Sequence, residues 1–172
     1  MVEIRQLGAD EAYGYIADLA TVLLDCVEGG ASVSFMAPLS RQQGEIFFEN
    51  VVEDVRNGNR ILLAAFTDNK LVGTVQIVTA MPPNQPHRAD VAKLLVLRSA
   101  RAQGVGSRLM NSVEIASRSA GKSLLVLDTV TGGSAEKLYL RLGWTKAGVI
   151  PKYALFPNGE WCDTTIFWKH LS

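Results

Sequence analysis

Cysteine and histidine are scarce in this chain: there are only Cys26 and Cys162, His87 and His170. The two thiols are distant and lack C-x-x-C spacing, which leaves no basis for a disulfide framework or a soft-ligand metal site. Buried or half-buried inert thiols are expected, and no metal. An excess of charge is missing as well. Seventeen Lys and Arg face seventeen Asp and Glu, so the chain carries no basic field of the kind nucleic-acid binding draws on. No apolar run approaches the ~18 residues of a membrane span, and Met1-Val2-Glu3-Ile4-Arg5 is not the start of a secretory leader. These absences point to a cytoplasmic protein without nucleic-acid or membrane partners. Repeats, low-complexity tracts and linkers are lacking too. At 172 residues and 48% hydrophobic, the chain reads as one domain over 1–172.

What is present is a regular alternation of strand and helix signals. Val2 to Leu7 reads as a strand and Asp10 to about Glu28 as a helix closed by Gly29-Gly30. After a loop, Ala31 to Pro38, Ser40 caps a second helix with Ile46, Phe47, Val51, Val52 and Val55 on its apolar side, ending near Asn57-Gly58. Arg60 to Thr67 and Leu71 to Ala80 form a hairpin around Asp68-Asn69-Lys70, and Met81 to His87, with three prolines, is a loop. Then come a strand, Arg88 to Leu97; a helix, Gly104 to about Ala120; a strand, Ser123 to Asp128; and a helix, Ser134 to Leu142, closed by Gly143. Lys146 to Phe156 and Trp161 to His170 make a last hairpin across Pro157-Asn158-Gly159. The order is β-α-α-β-β-β-α-β-α-β-β.

The most informative segment runs from Lys93 to Met110, where an apolar strand enters a glycine-bearing turn that opens an amphipathic helix. The first amides of a helix lack intrahelical partners and sit at the positive end of its dipole, so this turn can cradle a diphosphate. A nicotinamide-binding domain would use such a turn too, with Asp128 placed for a ribose contact. It would also want a third glycine where Leu109 stands, and would place the loop after its first strand. Gly121-Lys122-Ser123 leads from helix to strand with Ala116 where a P-loop needs glycine, so a turn suffices there.

The R-x-x-G-x-G pattern of Arg101, Gly104 and Gly106, with Tyr139 ahead of Gly143-Trp144, resembles the GCN5-related N-acetyltransferases (GNAT). The resemblance implies an α/β (α+β) fold in which a mixed sheet splits between its fourth and fifth strands, with helices on both faces. It implies acetyl-coenzyme A as cosubstrate, held by Arg101, Ala102, Gln103, Gly104, Val105, Gly106, Ser107 and Arg108 and by the backbone of Leu95, Val96 and Leu97. A closer likeness, in Gly29 to Ala37, Arg88 to Val91, Leu127 to Thr129, Tyr153 and Pro157 to Gly159, is to members of the family that acetylate the amino-acid toxin tabtoxinine-β-lactam. That likeness implies a role in toxin or antibiotic resistance.

The chemistry of acetyl transfer to an amine fits the side chains. A protonated amine needs a base, and Asp90 and Asp128 are the candidates, both also for contact with the substrate. The leaving thiolate needs a proton, which the Tyr139 phenol can supply. Phe35, with Ser32, Ser34 and Met36, lies in a loop suited either to covering a small zwitterion or to simple connection. Tyr153, Phe156 and Trp161 suit an aromatic wall or cross-strand packing equally. An enzyme acting on a small amine or amino acid is the first reading, and an acyl-coenzyme A binding or sensing module without turnover is the second. Monomer and homodimer both stay open.

Overall fold

The computed structural model describes residues 1–172. Seven strands form one sheet: β1 (Val2–Leu7), β2 (Arg60–Thr67), β3 (Lys70–Val78), β4 (Arg88–Val96), β5 (Leu124–Val130), β6 (Thr145–Leu155) and β7 (Trp161–His170). Their spatial order is β1-β2-β3-β4-β5-β7-β6, and only β4 and β5 run parallel. That parallel pairing is brief. Arg88, Ala89 and Asp90 face Leu124, Leu125 and Val126, and beyond them the strands part. The split between the fourth and fifth strands is as the resemblance implied.

Five helices cover both faces: α1 (Ala9–Gly14), α2 (Ile16–Glu28), α3 (Arg41–Arg56), α4 (Val105–Ser119) and α5 (Ser134–Arg141). On one face α1 to α3 bury Leu19, Leu23, Phe48 and Val51 against Leu62, Phe66 and Leu95. On the other, α4 and α5 bury Leu109, Val113 and Tyr139 against Val91, Leu125 and Phe167. No helix is long and apolar enough to cross a membrane.

Local chemistry accounts for most boundaries. Ser40 caps α3 reciprocally: its Oγ accepts the Gln43 amide at 3.1 Å while Gln43 Oε1 accepts the Ser40 amide at 2.9 Å. Asp68 and Asn69 both adopt positive φ, 49° and 62°, which matches a two-residue turn to the twist of β2 and β3. Three expectations are corrected. The first helix breaks at Tyr15, after Gly14, the residue with least to lose by leaving a helix. On α3 the buried face includes Phe48, while Ile46 is 48% exposed. Strand β5 continues to Val130 because β7 pairs with it as far as Thr164.

Gly73 in β3 controls how closely α4 can approach. A Cβ there would lie 3.0 Å from the Leu95 carbonyl oxygen, 3.2 Å from Val105 Cγ1 and 3.3 Å from Leu109 Cδ1. Gly73→Val should therefore overpack this contact and lower stability by about 1–3 kcal/mol. For a domain of this size that is a fall in Tm of roughly 2–10 °C. A calorimetric scan with parental Tm would refute the tight contact.

Candidate active site

Where β4 and β5 part, strand backbone that would otherwise be bonded is left facing a gap. The gap widens into a cavity of about 1120 Å³ reached by β4, β5, the start of α4, α5, the loop after α2 and the last hairpin. Leu97 donates its amide to Val72 at 2.9 Å, so in the alternation of an antiparallel pair Val96 turns its own N–H and C=O away from β3, toward the gap. The Val96 carbonyl accepts from Arg101 Nε at 3.2 Å and from Cys26 Sγ at 3.5 Å. Leu95 and Val96 line the cavity and Leu97 does not, but the same alternation turns the Leu95 amide, like that of Leu97, toward β3, so of the three expected backbone lenders only Val96 offers its amide to the gap.

The chain leaves β4 through a short 3-10 turn, Arg98–Ala100, that is clamped to α2. Asp25 accepts the Arg98 amide at 2.7 Å and its Nε at 2.9 Å. Burial raises the Asp25 carboxyl, and these hydrogen bonds overcome it and hold the group below its ordinary range. Gly29 makes the clamp possible, since a Cβ there would come within 2.8 Å of Arg98 Cδ.

The next turn builds the cradle. Gly104 is the N-cap of α4 in the left-handed conformation, φ 79°, a geometry that glycine takes without strain. The following amides, of Val105, Gly106 and Ser107, precede the first intrahelical bond, from Arg108 N–H to Gly104 O at 3.1 Å, and have no partner within the protein. Gly106 answers a different need. A Cβ there would lie 3.2 Å from Leu138 Cδ2, so its absence lets α5 close against α4. Arg101, Ala102, Gly104, Val105, Gly106 and Ser107 all line the cavity. Gln103 and Arg108 do not: Gln103 caps the Ser99 carbonyl and Arg108 reaches back to the Val2 carbonyl. Two cations that sequence reasoning missed, Lys137 and Arg141, line it from α5. Their i, i+4 spacing on one helix face was the available signal. Free helix-start amides flanked by Arg101, Lys137 and Arg141 suit a diphosphate, and the cavity has room for a long cosubstrate besides.

The proton-transfer candidates divide. Asp128 lines the cavity, and Oγ1 of Thr164 stands 3.1 Å from its Oδ2 and 3.0 Å from the Thr129 carbonyl, with one proton to give to either. Tyr139 also lines it, 5% exposed, its ring tilted against Trp144 and Phe167. Burial pushes its phenol far above the usual range and the Asp128 charge adds to the effect, so Tyr139 keeps its proton at any physiological pH. Asp90 stands at the fork itself, ion-paired with Arg88, and is not part of the cavity lining. Asp128 is therefore the one carboxylate that lines the cavity.

The loop after α2 is tied down at the far side. Ser32 Oγ donates to the Leu155 carbonyl at 2.8 Å, and the Ala37 amide to that of Pro157 at 3.1 Å. Phe35, Tyr153 and Phe156 line the cavity beneath it, while Trp161 is 63% exposed and lies outside. Cys26 and Cys162 are free and buried, and burial raises the Cys26 thiol. No group of three or more His, Cys, Asp or Glu side chains gathers to hold a metal.

Comparison with known proteins agrees with this geometry. Residues 29–144 match the acetyltransferase (GNAT) family model. An uncharacterized N-acetyltransferase of the hisH-hisA intergenic region of Azospirillum brasilense is 30% identical over 117 residues, 67% of this chain and 68% of that protein. An N-acetyltransferase from Staphylococcus aureus superposes with a TM-score of 0.82 at 17% identity, over 100% of this chain and 99% of that one. The yncA protein of Salmonella typhimurium, solved with its cofactor acetyl-CoA, gives 0.80 at 16% identity, over 99% and 94%. With a helix-start cradle, a split sheet and a family match across the whole of that machinery, this chain belongs to the GNAT family of acetyltransferases.

Proposed function

We propose that this acetyl-coenzyme A-dependent N-acetyltransferase acts on the amine of a small amino acid-like molecule, with Asp128 as the base and Tyr139 as the acid. The observation that carries this reading is the pairing, in one cavity, of a single carboxylate with a phenol that burial keeps protonated. Acetyl-coenzyme A supplies a thioester whose acetyl carbon the amine attacks. Asp128 removes the amine's proton, directly or through water. The carbon–sulfur bond breaks as the carbon–nitrogen bond forms, and Tyr139 returns a proton to the departing sulfur. A binding or sensing module without turnover would need neither group beside the cradle.

A small acceptor suits a cavity lined by Phe35 and, on the hairpin side, by Tyr153 and Phe156. Tabtoxinine-β-lactam is the first choice. The segments that resemble the tabtoxin resistance protein include Gly29 to Met36, Asp128, Thr129 and Tyr153, and these line the cavity. At position 90 this chain has aspartate where that protein has glutamate, and Asp90 is turned to Arg88. Expression in sensitive cells should allow growth in the toxin, and mass spectrometry should find its monoacetyl product. Growth arrest with soluble, coenzyme A-binding protein present would rule the toxin out as acceptor.

Gly106→Leu should weaken coenzyme A binding at least ~10-fold, about 1.4 kcal/mol, because the new side chain meets Leu138 and crowds the cradle. Calorimetry checks this, and an unchanged Kd would dismiss the cradle. Tyr139→Phe should bind coenzyme A normally and lose about 10²-fold in kcat. Because the phenol's proton is held more tightly than usual, parental kcat should show no fall on the alkaline side up to about pH 10. Full turnover by the Phe variant would leave Tyr139 a packing residue. Asp128→Asn should remove the acidic limb of the pH profile, whereas Asp90→Asn should change kcat/KM less than about threefold. The reverse ranking would move the base to the fork.

A further inference from the structure

Strand alternation would put Lys93 on the same face as Ala89 and Val91, which pack into the core beneath α4 and α5. A bulge prevents that. Between Thr74 and Gln76 the β3–β4 register advances two residues on β3 and three on β4, from Leu95 to Ala92. Lys93 takes up the extra residue with φ at 55°, a conformation uncommon for a residue with a side chain. Its side chain is thereby carried to the opposite face of the sheet. Nζ donates to Ser34 Oγ at 3.0 Å and lies 5.9 Å from the centre of the Phe47 ring on α3. Lys93 lines the cavity together with Phe35 and Asp128, and no carboxylate lies within 4.0 Å of its ammonium. Burial lowers its tendency to hold a proton, Asp128 counters this, and Arg60, itself paired with Asp54, reinforces it.

A strained, half-buried ammonium without a counter-ion needs a reason. The three other cavity cations, Arg101, Lys137 and Arg141, belong to the cradle turn and to α5, whereas Lys93 reaches the loop after α2, on the other side of the sheet. An anion placed beside both Lys93 Nζ and Ser34 Oγ would complete the pair. Asp128, whose charge Lys93 feels, would then face an ammonium on the same small molecule.

We propose that Lys93, with Ser34, binds the carboxylate of the acceptor, making it a specificity-determining residue for free α-amino acids over their amides and over simple amines. This rests on the reading of the protein as a small-molecule N-acetyltransferase and narrows the acceptor class. A charge-assisted hydrogen bond from a half-buried ammonium is worth enough to discriminate about 10-fold or more.

The test uses tabtoxinine-β-lactam, the twenty free amino acids and their carboxamides as acceptors, with acetyl-coenzyme A and release of free thiol as the readout. The parental enzyme should favour each accepted acid over its amide by at least ~10-fold in kcat/KM, mainly through KM. Lys93→Met keeps the aliphatic stem and should collapse that ratio to within about threefold. Lys93→Arg should retain most of the preference. Amides accepted as well as acids by the parent, or a Lys93→Met enzyme that loses acid and amide alike through kcat, would overturn the assignment while leaving the acetyltransferase reading intact. No transfer to any acceptor by a parent that binds acetyl-coenzyme A would overturn both. The acid-to-amide comparison on the parent decides even if a Lys93 variant fails to fold.

Discussion

The site depends on one constraint: β4 and β5 hold each other for only three residue pairs. Had they stayed paired, β4 would end as an ordinary interior strand with its polar groups consumed by the ladder. Parting them leaves backbone donors and acceptors that must find other partners. Arg101 and Cys26 take the Val96 carbonyl, while its amide stays turned to the cavity. The two halves of the sheet do not fall apart because the core beneath is continuous. Val91 on β4, Leu125 and Leu127 on β5 and Phe167 on β7 share one cluster with Tyr139 and Trp144. A split that would be a defect in a purely structural sheet is spanned from below by aromatic packing.

Electrostatics then sorts the cavity by end. Arg101, Lys137 and Arg141 sit with the unpaired helix-start amides, a positive end suited to a polyanionic cosubstrate. Asp128 is the only fixed negative charge in the lining. Tyr139 is kept neutral by the same burial that fixes its ring between Trp144 and Phe167. Packing and the retained proton therefore have one cause in this residue. The contacts that set the direction of the ring also set where its hydroxyl meets the cavity.

Much of this was legible in the sequence, and the limits have physical causes. Hairpin turns, the Ser40 cap and the glycine turn are local codes, read from residues that must adopt special backbone angles, and each appears where expected. The pairing of Asp128 with Tyr139 in one cavity followed from the family pattern. What escaped was set by tertiary register. Leu97 and Val96 are neighbours in sequence, yet opposite in hydrogen-bonding direction, and only the β3 pairing decides which faces the gap. Asp90 and Asp128 look equivalent as strand carboxylates. Asp90, however, belongs to the last paired step before the split, where Arg88 captures it. Lys93 is invisible for the same reason: a one-residue bulge changes its face, and nothing in the local sequence announces a bulge at a lysine.

The two ends of the cavity are also built from different cores. The cradle rides on α4, whose buried side belongs to the cluster with Val91 and Phe167. The loop carrying Ser32, Ser34 and Phe35 hangs between α2 and α3, anchored by the cluster with Phe48 and Phe66. Strand β4 serves both, since Val91 packs with the first and Leu95 with the second, and the bulge at Lys93 lies between them. The change of face within β4 is thus what lets one strand pack against the helices on both faces of the sheet. Ser32 and Ala37 tie that loop to the hairpin, and Ser34 ties it to the bulge itself by accepting from Lys93, so the loop is held by both the last hairpin and β4.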